Sequence, residues 1–397
     1  MKYAIVIPDG AADRPSEALG GHTPMEVARL PHINRIAREG RMGTVQTVPD
    51  SLSPGSDVAI LSLLGYDPTK SYTGRAPLEA VAKGIELADD DWVFRANLVT
   101  VADEQMVDYS AGHITSKEAE VLIAALQERL GTPTLRFYVG LGYRHLLIIK
   151  GEKFKVKTTP PHDIMGQKIA RHLPRGKNAK RLGDLMLASR EVFGEHPVNK
   201  VRRDLGENSA TQVWLWGEGR KPSLDSFAER WNLRGAAITA VDLVRGISRL
   251  IGWDIIEVEG ATGYFDTNYA GKGRAAIEAL KDHDLVVVHV EATDEAGHNG
   301  DAREKVRALE AVDTHVVGPL LEALPKMGGP WRILVSPDHE TPLDLRTHDR
   351  RPVPFTMMGT GLEPARPGGP WTEAEAAKTG MYVAVGYELM EYFLTVR

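Results

Sequence analysis

Three aspartates each lie within four residues of the end of a short apolar segment. A carboxylate at such a position can act on a ligand. The pairs of segment and aspartate are Tyr3–Ile7 with Asp9, Leu285–Val290 with Asp294, and Arg332–Val335 with Asp338. Short β-branched segments separated by helical patterns indicate parallel strands, and open parallel sheets bind ligands at the carboxyl ends of their strands. We therefore expect the three carboxylates to converge at one sheet edge.

Histidines accompany two of these aspartates at spacings that suit a metal ion. Asp294 and His298 form an Asp-x-x-x-His pattern, which an exposed aspartate and a surface histidine would explain equally well, and Asp338 is followed directly by His339. His348 lies nine residues further on, where a histidine taken by itself is more often a surface loop residue. Carboxylate oxygens and imidazole nitrogens together are typical ligands of divalent metals. The spacing predicts a site for one or two divalent cations.

A serine at a predicted helix start supplies a possible nucleophile. Pro54-Gly55-Ser56-Asp57 precedes an apolar helical segment, which is typical of a helix N-terminus, where Ser56 or Asp57 can equally be a simple N-cap. Backbone N–H groups at such a terminus bind phosphate. A serine hydroxyl needs a base or a metal to become nucleophilic, and the sequence has no Gly-x-Ser-x-Gly elbow. Metal activation is the remaining natural route.

Composition excludes several other kinds of protein. The chain has 397 residues, no cysteine and a formal net charge of −6. Disulfides, thiolate metal sites and cysteine nucleophiles are therefore absent, and the net charge favours neither nucleic acid nor an anionic membrane surface as partner. The sequence has no P-loop, no Gly-x-Gly-x-x-Gly and no His-Glu-x-x-His, and no apolar segment approaches the ~18 residues of a membrane span. We expect a soluble, cytoplasmic protein.

A change in residue pattern along the chain predicts a core domain that is interrupted by an inserted domain. Residues 1–85 and 235–397 form the predicted core domain, and residues 86–234 the inserted domain. The insert has antiparallel-looking strands at Phe94–Val101, Leu135–Val139 and His145–Lys150, and a basic segment with little periodicity at Lys168–Arg190. Helical patterns occur at Ile33–Glu39, Ser116–Leu130, Ala236–Ile251, Arg274–Lys281 and Arg303–Leu324.

The order of these motifs resembles that of the alkaline phosphatase superfamily. More closely, the sequence resembles archaeal-type cofactor-independent (2,3-bisphosphoglycerate-independent) phosphoglycerate mutases. The matching segments span nearly the whole chain and include Leu61–Pro68, Tyr72–Ala80, Phe94–Asn97, His196–Arg203, Glu259–Gly263 and Pro352–Pro354.

The resemblance implies an alkaline-phosphatase-like fold and a two-metal centre. The fold class is α/β, a three-layer α/β/α core with a mostly parallel sheet and an inserted smaller α+β domain. The residues matching the first metal position are Asp9, Ser56, Asp338 and His339. Those matching the second are Asp294, His298 and His348. Oxygen and imidazole ligands favour Mn²⁺, with Mg²⁺ or Zn²⁺ as alternatives.

The implied reaction is the interconversion of 3-phosphoglycerate and 2-phosphoglycerate, an isomerase step of glycolysis, through a phosphoserine at Ser56. His162 and Asp163 are candidates for acid/base catalysis, although a turn histidine explains His162 nearly as well. The arginines expected to bind the substrate are Arg75, Arg95, Arg202 and Arg203. The enzymatic alternatives are a homoserine kinase-like phosphotransferase and a metal-dependent phosphomonoesterase. A non-catalytic scaffold would have lost a ligand, and all the expected ligands are present.

Overall fold

The fold is described from a computed structural model that covers residues 1–363 and 369–396. The chain divides into two compact units. Unit 1 comprises Met1–Tyr72 and Ser223–Arg397, and unit 2 comprises Thr73–Pro222.

The strands and helices are numbered here in chain order. The strands are β1 (Lys2–Pro8), β2 (Arg41–Val45), β3 (Trp92–Ala102), β4 (Gln105–Asp108), β5 (Leu135–Leu141), β6 (Arg144–Ile149), β7 (Lys155–Lys157), β8 (Arg175–Lys177), β9 (Gln212–Arg220), β10 (Gly235–Ile238), β11 (Asp254–Ile255), β12 (Leu285–Val290), β13 (Trp331–Val335), β14 (Val353–Gly359) and β15 (Tyr382–Val383). The helices are α1 (Pro24–Val27), α2 (Pro31–Glu39), α3 (Ser56–Leu63), α4 (Pro68–Ser71), α5 (Arg75–Ala82), α6 (Ser116–Leu130), α7 (Ala179–Gly194), α8 (Pro197–Asp204), α9 (Phe227–Trp231), α10 (Asp242–Leu250), α11 (Tyr269–Asp282), α12 (Ala292–Asn299), α13 (Ala302–Val312), α14 (Gly318–Ala323), α15 (Glu373–Lys378) and α16 (Glu388–Thr395).

Unit 1 is built on an eight-stranded sheet with the order β11-β10-β12-β1-β13-β14-β2-β15. Only β14 among these strands runs antiparallel to its neighbours, so the predicted mostly parallel α/β sheet is confirmed. The strands β12, β1 and β13 are adjacent, and each is an apolar segment buried on both faces. The three predicted ligand-bearing strands therefore lie side by side at the centre of the sheet.

One predicted helix of unit 1 is wrong in its first part. Ala236–Ile238 belongs to β10, which pairs in parallel with β12, and helix α10 begins only at Asp242. Residues 236–238 are Ala-Ala-Ile and carry a weak strand signal, and the backbone pairing with β12 determines their conformation. The predicted helix at Arg303–Leu324 is interrupted by a π-helical turn at Asp313–Val317, which joins α13 to α14.

Unit 2 is an antiparallel sheet covered by helices. Its strand order is β4-β3-β6-β5, and β9 pairs with β3. The basic segment from 168 to 190 contains most of α7, a helix that the weak periodicity did not indicate. Leu182, Leu185, Met186 and Phe193 of this helix are buried in the core of the unit.

The unit boundaries lie some residues before those the sequence predicts. Helix α5 packs against β3 and β9, so residues 73–82 belong to unit 2, although we expected them in the core. Arg75 therefore lies in the same unit as Arg95. Within the described part of the chain, no helix is long and apolar enough to cross a membrane.

Candidate metal centre

The carboxyl ends of β1 and β13 and the start of α3 bring four of the predicted groups together. One ligand atom each of Asp9, Asp338 and His339 lies within 4.8 Å of the others. The Nε2 atom of His339 is 3.5 Å from Oδ1 of Asp9 and 3.4 Å from Oδ2 of Asp338. The hydroxyl of Ser56 lies 3.1 Å from the same Nε2. All four side chains are buried, with Ser56 the most exposed at 8%.

Two carboxylate oxygens of this group lack a hydrogen-bond donor, and a bound cation would supply the missing interaction. Among the described residues, Oδ1 of Asp9 and Oδ2 of Asp338 are buried and accept no hydrogen bond. Burial raises the pKa of Asp9 well above its ordinary value, and the nearby charges of Asp338 and Asp294 raise it further. Buried carboxylates with free lone pairs are costly unless they are paired or bind a metal. The donor set therefore fits a divalent cation.

The second predicted group also assembles, next to the first. The Nε2 atom of His298 is 3.2 Å from Oδ2 of Asp294 and 2.9 Å from Nε2 of His348. The Nε2 atom of His348 lies 3.7 Å from Oδ1 of Asp294. Asp294, His339 and His348 offer ligand atoms within 4.8 Å of one another, so His339 borders both groups.

Charge balance in this second group depends on Asp294. Burial alone would raise the pKa of Asp294, but hydrogen bonds from His298 and His348 hold it well below its ordinary value. The same contact with Asp294 raises the pKa of His298 to about 9. Two imidazole nitrogens that face each other and one carboxylate form a donor set that a single cation can join.

Ser56 is the first residue of helix α3, whose N-cap is Gly55. The predicted helix start is confirmed, and neither Ser56 nor Asp57 is the N-cap. Asp57 instead accepts a hydrogen bond from the Tyr72 hydroxyl at 2.6 Å and one from the backbone N–H of Val58 at 3.1 Å. The Ser56 hydroxyl is therefore directed to the metal centre and not to the capping of its own helix.

In unit 2, several of the predicted substrate-binding residues form one cluster. The guanidinium of Arg95 is 2.9 Å from the Glu79 carboxylate and stacks 4.4 Å from the centre of the Trp216 ring. The ring of His162 also meets Trp216 at a centroid distance of 5.4 Å. Burial lowers the pKa of His162, and Asp163 lies 3.6 Å from its Nε2.

Arg75 joins this cluster through Glu79, whose carboxylate lies 3.9 Å from its Nε. Arg75 begins helix α5 directly after Gly74. Gly74 has a φ of +139°, and a Cβ at this position would lie 2.0 Å from the carbonyl oxygen of Glu218. The close approach of the helix start to β9 therefore requires glycine before Arg75.

Arg202 has a different environment. Its side chain is 3% exposed and donates to the Glu118 carboxylate and to the carbonyls of Ala111, Gly112 and Asn208. It also forms an ion pair with Glu207 at 3.0 Å. All three nitrogens of the guanidinium are therefore engaged within the protein. Its geometry gives it a structural task, while Arg203 lines a surface pocket with Glu104 and Arg190.

The comparisons with known proteins show the family of this chain. A family described as 2,3-bisphosphoglycerate-independent phosphoglycerate mutase matches residues 37–199. A probable enzyme of that name from Geobacter sulfurreducens is 49% identical over 399 residues, which covers 99% of this chain and all of the relative. The enzyme from Methanosarcina mazei is 52% identical over 362 residues, 91% of each chain. The chain belongs to the 2,3-bisphosphoglycerate-independent phosphoglycerate mutase family.

Solved structures support the same family. A protein from Pyrococcus horikoshii aligns with a TM-score of 0.84 at 29% identity, covering 99% of this chain and 96% of its own. The cofactor-independent phosphoglycerate mutase from Thermoplasma acidophilum aligns with a TM-score of 0.69 at 25% identity, covering 99% of both chains.

This member of the phosphoglycerate mutase family has further site residues that the sequence did not indicate as functional. His289 lies within the apolar β12, and its Nε2 is 2.7 Å from Oδ2 of Asp9. Glu291 follows the strand, and Asp9, His289 and Glu291 also offer ligand atoms within 4.8 Å. A histidine inside a fully buried strand was the available signal for His289.

Thr341 and Gly10 contact three of the predicted ligands. The Thr341 hydroxyl donates to Oδ1 of Asp294 and lies 3.2 Å from Nδ1 of His339. The Gly10 N–H donates to Oδ1 of Asp338 at 3.0 Å. Gly10 has a φ of +57°, and a Cβ there would lie 2.4 Å from both Oδ1 of Asp294 and Oγ1 of Thr341.

We predict that Gly10→Ala weakens metal binding by about 10- to 100-fold, because the methyl group displaces Asp294 and Thr341. The left-handed backbone adds about 1–2 kcal/mol of destabilisation. Isothermal titration with Mn²⁺ and denaturant unfolding measure the two effects.

Gly20→Ala is the matched control, because Gly20 has a φ of +65° and no atom within 4 Å of the added Cβ. It has the backbone cost alone and keeps wild-type Mn²⁺ affinity. Equal Mn²⁺ affinity in both variants would contradict the assigned role of Gly10.

Proposed function

We propose that this protein is a cofactor-independent phosphoglycerate mutase that interconverts 3-phosphoglycerate and 2-phosphoglycerate through a phosphoserine at Ser56. The observation that carries the proposal is the position of the Ser56 hydroxyl, 3.1 Å from His339 in a buried group with Asp9 and Asp338. The relatives at about half identity bear the mutase name, which favours this function over a homoserine kinase or a phosphomonoesterase.

Two divalent cations complete the proposed site. Asp9, Ser56, Asp338 and His339 would hold one, and Asp294, His298 and His348 the other. Bound there, the cations supply positive charge that lowers the pKa of the serine hydroxyl and offsets the charge of the phosphate. The mixture of oxygen and imidazole ligands favours Mn²⁺ over Mg²⁺ or Zn²⁺.

The chain's own groups account for the transfer itself. The Ser56 hydroxyl gives its proton to solvent, and Ser56 Oγ forms a bond to phosphorus as the bond from phosphorus to the C3 oxygen of the substrate breaks, leaving phosphoserine and glycerate. The departing oxygen takes a proton, and His162, with the Asp163 carboxylate beside it, is the proposed donor. The glycerate then reorients, and its C2 hydroxyl returns a proton to His162. The C2 oxygen takes the phosphoryl group from Ser56 as the serine oxygen leaves and regains its proton from solvent.

Arg75 and Arg95 are the proposed groups that hold the glycerate carboxylate. A planar guanidinium binds a carboxylate through two parallel hydrogen bonds. Arg95 is fixed by Glu79 and by the face of Trp216, so it loses little freedom on binding a ligand. We leave Arg202 out of this site because its donors are occupied. The substrate is a small anion of glycolysis, and we place the reaction in the cytoplasm.

We predict that Ser56→Ala lowers mutase turnover by at least about 10³-fold, because no other group can accept the phosphoryl in the intramolecular transfer. The coupled assay of 2-phosphoglycerate formation with added Mn²⁺ measures this. Mass spectrometry of the wild-type protein quenched with substrate should locate the phosphoryl group on Ser56.

Ser248→Ala is the matched control, since Ser248 is a buried helical serine of the same unit whose hydroxyl donates to the Val244 carbonyl of its own helix. Its turnover should stay near wild type. Comparable turnover in Ser56→Ala and wild type would rule out the nucleophile.

We further predict that Arg75→Ala changes the product ratio, whereas Arg202→Ala lowers the stability of the protein. Arg75→Ala weakens glycerate retention, so the ratio of inorganic phosphate to 2-phosphoglycerate rises while stability changes by no more than about 0.5 kcal/mol. Arg202→Ala leaves carboxylates and carbonyls unpaired and lowers the free energy of unfolding by about 3 kcal/mol. Product analysis from 3-phosphoglycerate and urea unfolding measure the two effects. A raised phosphate ratio in Arg202→Ala at wild-type stability would restore Arg202 to the substrate site.

A further inference from the structure

A buried lysine outside the ligand set lies beside the metal centre. Lys305 belongs to helix α13 and its side chain is 0% exposed. Its Nζ donates to Oδ2 of Asp13 at 2.7 Å, to the carbonyl of Thr341 at 2.8 Å and to that of Ala12 at 3.4 Å. An ammonium group has three donors, and these contacts use all three.

The acceptors of Lys305 come from two different ligand-bearing segments. Ala12 and Asp13 belong to the segment after β1, which begins with Asp9, and Thr341 belongs to the segment after β13, which carries Asp338 and His339. The two segments also touch directly, because the N–H of Thr341 donates to the Ala12 carbonyl at 3.3 Å.

Asp13 reinforces this connection. Besides binding Lys305, its carboxylate accepts from the N–H of Leu343 at 3.3 Å and from that of Arg14 at 2.8 Å. The ion pair thus joins Asp13, in the segment after β1, to Lys305 of helix α13, and each partner also bonds the segment after β13.

The connection reaches the metal ligands through Thr341 and Gly10. Thr341 is the residue whose carbonyl binds Lys305, and its hydroxyl contacts both Asp294 and His339. Gly10, three residues before Asp13, donates to Asp338. A shift of either backbone segment would therefore move a metal ligand.

A buried ion pair of this kind has little net effect on stability, since the cost of desolvating two charges offsets their attraction. The pair is then better explained by the geometry that it imposes on the backbone around it than by a gain in stability. An ammonium that binds two carbonyls and one carboxylate fixes the spacing of the groups around it.

We propose that Lys305 is a positioning residue of the metal centre, whose ammonium holds the segments after β1 and β13 at the spacing that divalent metal binding requires. The proposal rests on the proposed function in one respect, which is that the site binds divalent cations.

The experiment is a substrate-free calorimetric titration of the full chain with Mn²⁺, with far-UV circular dichroism as the test of folding. The variants are Lys305→Met and the double variant Lys305→Gln with Asp13→Asn, which keeps neutral hydrogen bonds. Arg332→Met is the matched control. Arg332 is a buried cation of β13 that donates to the carbonyls of Thr360, Phe393 and Val396, at the opposite end of the strand from Asp338.

We expect Lys305→Met to bind Mn²⁺ at least about ten-fold more weakly than wild type, the size seen when an outer-shell partner of a metal site is removed. The double variant should lose less affinity, and Arg332→Met should keep wild-type affinity. Wild-type Mn²⁺ affinity in Lys305→Met, or in the double variant if the single one does not fold, overturns the proposal. Failure of both to fold while Arg332→Met folds also overturns it, since Lys305 would then be structural only. A wild-type protein that binds no Mn²⁺ refutes the proposed function instead.

Discussion

Three aspartates share one small buried space at the carboxyl ends of adjacent strands, and the repulsion among them is the constraint on which the site depends. Asp9 and Asp338 each have an oxygen that no described residue satisfies, and burial together with the other two carboxylates raises the pKa of Asp9. Glu291 adds a further carboxyl that is 17% exposed. Desolvation and the charge of Asp9 raise the pKa of this group as well. Such a cluster is stable as carboxylates only when positive charge enters it. The fold thus prepares a site that divalent cations complete.

The surrounding residues keep the ligands in place without neutralising them. Thr341 contacts Asp294 and His339, and Gly10 gives its N–H to Asp338. The buried ammonium groups near the site are directed largely at backbone: Lys305 binds two carbonyls and Asp13, and Lys272 binds the carbonyl of His289. Because these cations are engaged elsewhere, the charge of the cluster remains available for metal.

The metal ligands could be predicted from the sequence where a clear strand pattern is followed directly by a carboxylate. The strand ends of β1, β12 and β13 placed Asp9, Asp294 and Asp338 correctly because apolar β-branched segments specify buried parallel strands. The sequence prediction failed at β10, where pairing with β12 overrides a weak local signal. Thr341 and Lys305 carry no signal, since their roles arise only when separate segments fold together. For Arg202 the sequence motif predicts substrate binding. In the structure its guanidinium bonds Glu118 and the Ala111 carbonyl instead, which indicates a structural role that the sequence does not show.

The most direct test of this account is the thermal unfolding of Asp338→Asn beside the wild type, in chelator and in saturating Mn²⁺. If carboxylate repulsion governs the site, the metal-free variant melts at or above the metal-free wild type, since one buried charge is gone. Its stabilisation by Mn²⁺ should shrink well below that of the wild type, which gains about 2.7 kcal/mol per site at a hundred-fold excess over the dissociation constant. A variant that melts lower in chelator and keeps the full response to Mn²⁺ would contradict the account.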